Sequence, residues 1–189
     1  MNILIDTISN KTVLILFDNN LEIVEKKVCE IKWNESSELI IKIDELIRNN
    51  DLEYKNIKNL IVINWPWSFT GIRSTILTVN TINYIINGNM TALSYFDLFN
   101  NYPIIKSSSK KDCFVKFTKD CEIEIIENNE LKNILSSKDI KLVYGEANKE
   151  YFENIKIIDI IDYISIINNI KMDKAKQLQA LYIKKPNIS

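Results

Sequence analysis

Hydroxyl-bearing residues and one carboxylate stand where two predicted strands end. Asp6 follows the first strand, while Ser68, Thr70 and Gly71 follow a later strand, at the start of a predicted helix. A strand-end carboxylate can reach a metal ion or a phosphate, and free N–H groups at a helix N-terminus can bind an anion. From these residues alone we favour the simpler interpretation, in which Asp6 caps its own turn.

Two tryptophans argue against phosphate binding at the end of the later strand. Backbone that approaches a pyrophosphate closely requires glycine, whereas Trp65 and Trp67 occupy this turn and the whole chain has three glycines. Two indoles provide bulk that fills a pocket or packs an interface. Arg73 lies one turn into the helix, where the dipole disfavours a cation. We therefore expect Arg73 to pair with a carboxylate of another element or to serve a partner.

Other catalytic chemistry is largely excluded by residue type. The chain has no histidine, which rules out Ser-His-Asp and Cys-His catalysis and the usual zinc sites. The serines and lysines of residues 107–111 are predicted to form a solvated loop rather than a phosphate clamp. Asp159 and Asp162 are predicted to lie on the solvated face of one helical turn. We expect no catalytic residue, no metal site and no cofactor.

Composition indicates a globular protein without the excess of positive charge that is typical of nucleic-acid binding. The 189 residues are 46% apolar and 26% charged, with a net charge of −1, too little positive charge for a chain that grips RNA alone. The cysteines are three in number, with no CxxC pair, which suggests a reduced, cytoplasmic protein. The most apolar long stretch, residues 155–170, contains Lys156 and two aspartates. It is therefore not predicted to span a membrane.

Hydrophobic periodicity predicts two lobes of α/β type, residues 1–100 and 101–189. The first lobe opens with an antiparallel meander and continues with a helix capped by Asn34, a buried strand and a second helix closed by Gly88 at its C′ position. Ten strands are predicted, at residues 3–5, 12–17, 21–32, 60–63, 90–93, 104–105, 113–117, 121–126, 142–145 and 155–158. Helices are predicted from residue 34, from residue 68 or 70 to 87, and at residues 130–135 and 159–168.

The strand–helix junction carries a recognisable motif. Residues 65–73 read Trp-Pro-Trp-Ser-Phe-Thr-Gly-Ile-Arg. This segment resembles the Gly-Pro-Gly-Ser-Phe-Thr-Gly-(Leu/Val/Ile)-Arg motif of the TsaB (YeaZ) family, with both departures replacing glycine by tryptophan. The matching positions are Pro66, Ser68, Phe69, Thr70, Gly71, Ile72 and Arg73. The resemblance suggests a family signature from which two glycines have been lost.

Further segments follow in the family's order. The opening ILIDTISNKTVLILFDNN is similar to the family's Asp-Thr-Ser start, and TALSYFDLF to its Val-Ser-Ser-Leu-Asp-Ala-Leu-Ala helix. WNESSELIIKIDELIRNN is similar to its His-Ser-Glu-x-Leu-Leu helix, with Asn34 where histidine is usual. The final ALYIKKPNIS is similar to its Pro-x-Tyr-Leu-Arg-x-Pro tail. The resemblance covers residues 1–100 and the tail, and is poor between residues 100 and 175.

The resemblance implies an ASKHA (actin-like and sugar-kinase-like) fold of two lobes, the second one reduced. It implies a non-catalytic partner of TsaD, a nucleotide-binding paralogue. TsaD places threonylcarbamoyl on the adenosine beside the anticodon of ANN-decoding tRNAs. TsaE is implied as a further member of the complex, tRNA as an indirect partner, and a homodimer as a state of the isolated chain. Asp6, Trp65 and Trp67 would mark a degenerate ligand site.

Two helices of the first lobe would supply the contact with TsaD. By the resemblance, the contact residues are Leu39, Ile43, Leu46, Ile72, Ile76 and Val79. Two alternatives remain open from the sequence. The chain could be an active ASKHA-type small-molecule kinase, although its phosphate hairpins would need glycine. It could also be an unrelated α/β interaction module that acquired Ser-Phe-Thr-Gly by chance.

Overall fold

A computed structural model describes residues 1–30, 36–66 and 69–179 of the chain. The described residues form two units. The first unit consists of Met1–Tyr95 together with the C-terminal residues from Ile164, and the second consists of Phe96–Tyr163. Each unit contains one five-stranded sheet. The chain is thus a mixed α/β protein, as the sequence predicts.

The first sheet has its first strand at the centre. Its strands are β1 (Asn2–Asp6), β2 (Thr12–Phe17), β3 (Ile23–Cys29), β4 (Asn59–Trp65) and β5 (Asn89–Ser94). They lie in the order β3-β2-β1-β4-β5. The first three strands form the predicted antiparallel meander, whereas β4 and β5 run parallel to β1. The carboxyl ends of β1, β4 and β5 therefore meet at one edge of the sheet.

Two helices cover one face of this sheet and create the core of the first unit. They are α1 (Ser36–Asn49) and α2 (Phe69–Ile86). Alternate strand residues such as Ile3, Leu14 and Val62 pack against them, because successive side chains of a strand point to opposite faces. Both helices therefore bury an apolar side against the sheet.

The C-terminal end of α2 differs from the prediction. Asn87, with φ 49°, is the residue in the left-handed conformation after the helix ends at Ile86. Asparagine tolerates this conformation better than most residues. Gly88 has a different role, because a Cβ atom at this position would meet the Lys58 carbonyl oxygen at 2.6 Å. Gly88 allows close approach of the backbone rather than a left-handed turn.

The second unit repeats the strand connectivity of the first. Its elements are β6 (Ile104–Ser107), β7 (Asp112–Lys116), β8 (Glu124–Glu127), α3 (Asn128–Ser137), β9 (Leu142–Glu146) and β10 (Lys156–Ile158). The last helix, α4 (Tyr163–Asn169), begins at the final residue of this unit and belongs otherwise to the first unit. The sheet order is β8-β7-β6-β9-β10, with β6, β9 and β10 parallel. Where α2 links β4 to β5, a single 3-10 turn at Lys149–Tyr151 lies between β9 and β10.

The core of the second unit is smaller and includes charged groups at a strand end. Leu131 and Leu135 of α3 pack with Val143 and with Phe152, which follows the 3-10 turn. At the carboxyl ends of β6 and β9, Lys106 and Glu146 form a buried ion pair. Within the described part of the chain, no helix is long and apolar enough to cross a membrane.

Candidate functional site

The carboxylate of Asp6 is engaged by its own turn. Its Oδ1 accepts hydrogen bonds from the backbone N–H groups of Ile8 and Ser9 at 2.9 and 3.0 Å, and its Oδ2 accepts one from the Ser9 hydroxyl at 2.6 Å. Asp6 is fully buried. A carboxylate held in this way stabilises the turn after β1, in agreement with the simpler interpretation from the sequence.

The motif segment lies beside this turn. Thr75 of α2 shares a 3.0 Å hydrogen bond with the hydroxyl of Thr7, next to Asp6. Trp65 ends β4, half-buried, and is joined by a cis peptide bond to the buried Pro66. The motif therefore connects the end of a central strand to a helix that packs close to the turn of Asp6.

The remaining motif residues are only partly described. Gly71 lies in the first turn of α2, and Arg73 is exposed further along that helix. Trp67 and Ser68 lie outside the described residues, as do the side chains of Phe69 and Thr70. The proposed helix cap at Asn34 and the tail resemblance at residues 180–189 also fall outside the described part of the chain.

The six residues expected to contact TsaD are core residues. All of them have exposed fractions of 6% or less and pack between the two helices and the sheet: Leu39, Ile43 and Leu46 of α1, and Ile72, Ile76 and Val79 of α2. The prediction that they form a partner contact is therefore corrected. Both helices are apolar on more than one side, and periodicity alone does not show which side the sheet covers.

The outward side of α2 also carries apolar residues. Leu77 is 70% exposed, Tyr84 89% and Ile85 65%. Arg73 and Thr81 lie on the same side, because residues at spacings of four, seven and eight share a helix face. We call Arg73, Leu77, Thr81, Tyr84 and Ile85 the α2 stripe. Exposed apolar residues grouped on one face are typical of an interaction surface.

The outward side of α1 adds two isoleucines and several charges. Ile40 and Ile41 are exposed, and Arg48 pairs with Asp44 on the helix surface at 2.8 Å. Glu45 accepts hydrogen bonds from two lysine side chains, Lys27 of β3 and Lys42. These two hydrogen bonds lower the pKa of the Glu45 carboxyl. The surface of α1 is thus a mixture of apolar residues and ion pairs.

The C-terminal residues of the first unit lie along α2. We call residues 173–179 the arm. Two asparagines of α2 hold its backbone: the Asn80 side chain both accepts from Leu178 N and donates to Leu178 O, at 2.9 and 3.0 Å, and Asn83 donates to Lys176 O at 2.9 Å. Asn64 of β4 donates to the backbone oxygen of Gln179 at 2.8 Å.

The arm also contacts both ends of the α2–β5 connection. Met90 N donates to Ala175 O at 2.8 Å, and Asp173 N donates to the Thr91 hydroxyl at 2.8 Å. The Lys176 ammonium donates to Gly88 O at 2.6 Å. A cation at the end of a helix is stabilised by the helix dipole and by the carbonyl groups left unpaired there. The role of these asparagines cannot be recognised from the sequence, because an asparagine side chain has no distinctive pattern.

Two other predicted features have clear positions in the structure. The loop at residues 107–111 turns tightly, with Ser108 N and Ser109 N donating to Asp112 O, while the exposed Lys110 and Lys111 fit a solvated loop. The aspartates at positions 159 and 162 are exposed but precede α4, which begins at Tyr163. Their predicted helical location is therefore wrong. Among the described residues, no group of three or more cysteines and carboxylates could hold a metal ion.

Comparison with known proteins supports the family resemblance at the level of the fold. No known family profile matches the sequence, and no curated protein matches it either. Among solved structures, YeaZ from Pseudomonas aeruginosa is similar, with a TM-score of 0.63 and 11% identity over 88% of this chain and 90% of that chain. A protein described as uncharacterized, with similarity to peptidase YEAZ from Pseudomonas aeruginosa, gives a TM-score of 0.68 and 11% identity over 97% of this chain and 99% of that one. The fold is thus similar to that of YeaZ, as the motif predicts.

Proposed function

We propose that this chain is the non-catalytic partner of TsaD in the threonylcarbamoylation of the adenosine beside the anticodon of ANN-decoding tRNAs. The α2 stripe carries this proposal. A helix that has already buried one side in the core gains nothing in the free chain from a second apolar side. A partner surface that covers Leu77, Tyr84 and Ile85 would remove them from water, which favours association.

We propose that TsaD contacts the outward sides of α1 and α2. The core side of each helix is unavailable, since the sheet covers it. Ile40 and Ile41 of α1 would extend the apolar area of the stripe, and the charged residues of α1 would form its rim. The same surface could serve a homodimer when TsaD is absent, and TsaE would join the complex without a required contact to this chain.

Two observations support a role without catalysis. The Asp6 carboxylate accepts three hydrogen bonds from its own turn, which gives it a structural role in that turn. In the second unit, the corresponding edge of the sheet holds the buried pair Lys106–Glu146. We propose that the ASKHA fold is retained here without ligand binding, and that the 3-10 turn after β9 marks the reduced second lobe.

The proposal is tested by using calorimetry to measure the affinity of this chain for purified TsaD from the same genome. Leu77→Glu places a charge at the centre of the stripe and leaves the core intact. We expect it to weaken TsaD binding by about tenfold or more, the effect of losing one central apolar anchor. Val28→Glu on β3 is the matched control, since Val28 is an exposed apolar residue away from both helices. Equal affinity of wild type and Leu77→Glu would reject the α2 stripe as the contact.

A further inference from the structure

A cavity of about 760 Å³ opens between α2 and the arm. Seven of the described residues line it: Asn80, Thr81, Asn83 and Tyr84 from α2, Asn87 just after the end of that helix, and Lys176 and Gln177 from the arm. Thr81 and Tyr84 belong to the α2 stripe as well. The cavity is therefore continuous with the surface on which we place the partner.

Among the described residues, the charge of the cavity comes from Lys176. The other six described side chains that line it are neutral. The Lys176 ammonium donates to Gly88 O at 2.6 Å and to Asn87 O at 3.4 Å. An ammonium has three N–H groups, so one remains for a further acceptor. The partial negative charge at a helix C-terminus is about half an elementary charge, so the combined charge of this corner remains positive.

We propose that this cavity receives an acidic side chain, aspartate or glutamate, from the protein that docks on the α2 stripe. A carboxylate would accept a charge-assisted hydrogen bond from Lys176, and the amide of Gln177 provides a neutral donor beside it. The partner segment would be an amphipathic helix whose carboxylate is flanked by apolar residues that contact Leu77 and Ile85. This inference rests on the proposed function and specifies the chemistry of its partner.

A protein partner fits the cavity better than RNA. A nucleic-acid surface requires several cations along one face, whereas one cation, Lys176, lines this cavity in the part of the chain that the structure describes, and the chain has a net charge of −1. The neighbouring residues Leu77 and Ile85 are apolar and exposed, which suits the apolar face of a helix rather than a phosphate backbone.

Charge variants of the arm test the inference with purified TsaD as the probe. Lys176→Gln is expected to weaken TsaD binding by about tenfold and to reduce its salt dependence, because a charge-assisted contact is lost. Lys176→Arg keeps the charge, and its affinity should stay within about threefold of wild type. Lys174→Gln is the matched control, because Lys174 is an exposed lysine of the arm that does not line the cavity.

Gln177→Glu separates binding from folding. Lys176→Gln also removes a contact with the end of α2, whereas Gln177→Glu leaves that contact in place and adds a negative charge to the cavity. We expect it to weaken TsaD binding with an unchanged thermal midpoint. TsaD affinities equal to wild type for both Lys176→Gln and Gln177→Glu would overturn the inference. It would also be overturned if these variants weakened tRNA binding by the complex without weakening the binding of TsaD.

The outcomes also distinguish this inference from the proposed function. If Leu77→Glu prevents TsaD binding while the variants of Lys176 and Gln177 do not affect it, the stripe is the contact and the acidic side chain is rejected. If the wild-type chain does not bind TsaD, the proposed function fails and the inference fails with it.

Discussion

The side chain of Asn80 forms two hydrogen bonds with the backbone of one residue, Leu178. Its Oδ1 accepts from Leu178 N and its Nδ2 donates to Leu178 O. The Leu178 side chain is itself buried in the core of the first unit. Through this pair, a residue in the middle of α2 fixes the position of the arm, and the arm forms one wall of the cavity beside the stripe.

Asn80→Ala should therefore destabilise the first unit. The substitution removes two hydrogen bonds and leaves both polar groups of the Leu178 backbone without their side-chain partner. We expect the free energy of unfolding to fall by about 1–3 kcal/mol, measured by urea denaturation. Thr81→Ala is the control, because the Thr81 hydroxyl bonds only to Leu77 O of its own helix among the described contacts. If Thr81→Ala lowered the free energy of unfolding as much as Asn80→Ala does, this role of Asn80 would be contradicted.

Gly88→Ala should be destabilising for a steric reason. The added Cβ atom would meet the Lys58 carbonyl oxygen at 2.6 Å, so the connection between α2 and β5 would have to shift. We expect a loss of about 1–3 kcal/mol in the free energy of unfolding. Asn87→Gly provides the comparison, since glycine adopts the left-handed conformation of Asn87 without strain. A Gly88→Ala protein as stable as wild type would show that the Lys58 backbone does not constrain this position.

The buried ion pair of the second unit should respond differently to single and double substitution. Lys106→Met leaves the Glu146 carboxylate buried without its cation, and we expect a loss of about 3–5 kcal/mol. The double variant Lys106→Met with Glu146→Leu replaces both charges with apolar groups of similar size, so it should recover most of that stability. Thermal and urea denaturation measure both effects. A double variant no more stable than Lys106→Met alone would indicate that these charges have a further structural role.

The cysteines should differ strongly in reactivity. Cys113 is buried and its thiol donates to Asn128 Oδ1 at 3.2 Å, and burial raises its pKa to about 11. Only the thiolate reacts quickly, so at pH 8 the Cys113 thiol stays protonated and its labelling rate should rise with pH up to that pKa. Cys121 is exposed and should account for the fast phase with a thiol reagent.

Cys121→Ser provides the control for the labelling experiment, since it should remove the fast phase and leave slow labelling of the buried thiols. Burial also raises the pKa of the Cys29 thiol, so Cys29 should react slowly in the folded chain. A fast phase that persists in Cys121→Ser would contradict the assignment of reactivity by burial.

Much of the first unit could be predicted from the sequence, because its local patterns are strong. The strand at Thr12–Phe17 has the predicted bounds. The helix predicted from residue 68 or 70 to residue 87 is present as α2, Phe69–Ile86. The capping role of Asp6 was also predictable, since a carboxylate after a strand commonly accepts from the next backbone N–H groups.

The side of each helix that meets the core could not be predicted in this way. In α2, Ile76 is buried while Leu77 is exposed, and both are apolar residues in the same periodic segment. Which of them packs inward depends on the register of β1 and β4 beneath the helix, a long-range property. The pair of hydrogen bonds between Asn80 and Leu178 is equally non-local, since the two residues are 98 positions apart in the sequence.

The most direct test of the proposed function is a tRNA threonylcarbamoylation assay with TsaD and the other proteins of the pathway from the same genome, with and without this chain. We predict that the chain forms a stable complex with TsaD, that modification of ANN-decoding tRNA depends on its presence, and that Leu77→Glu reduces both. Full modification in the absence of the chain, or no complex between the two purified proteins, would contradict the proposal.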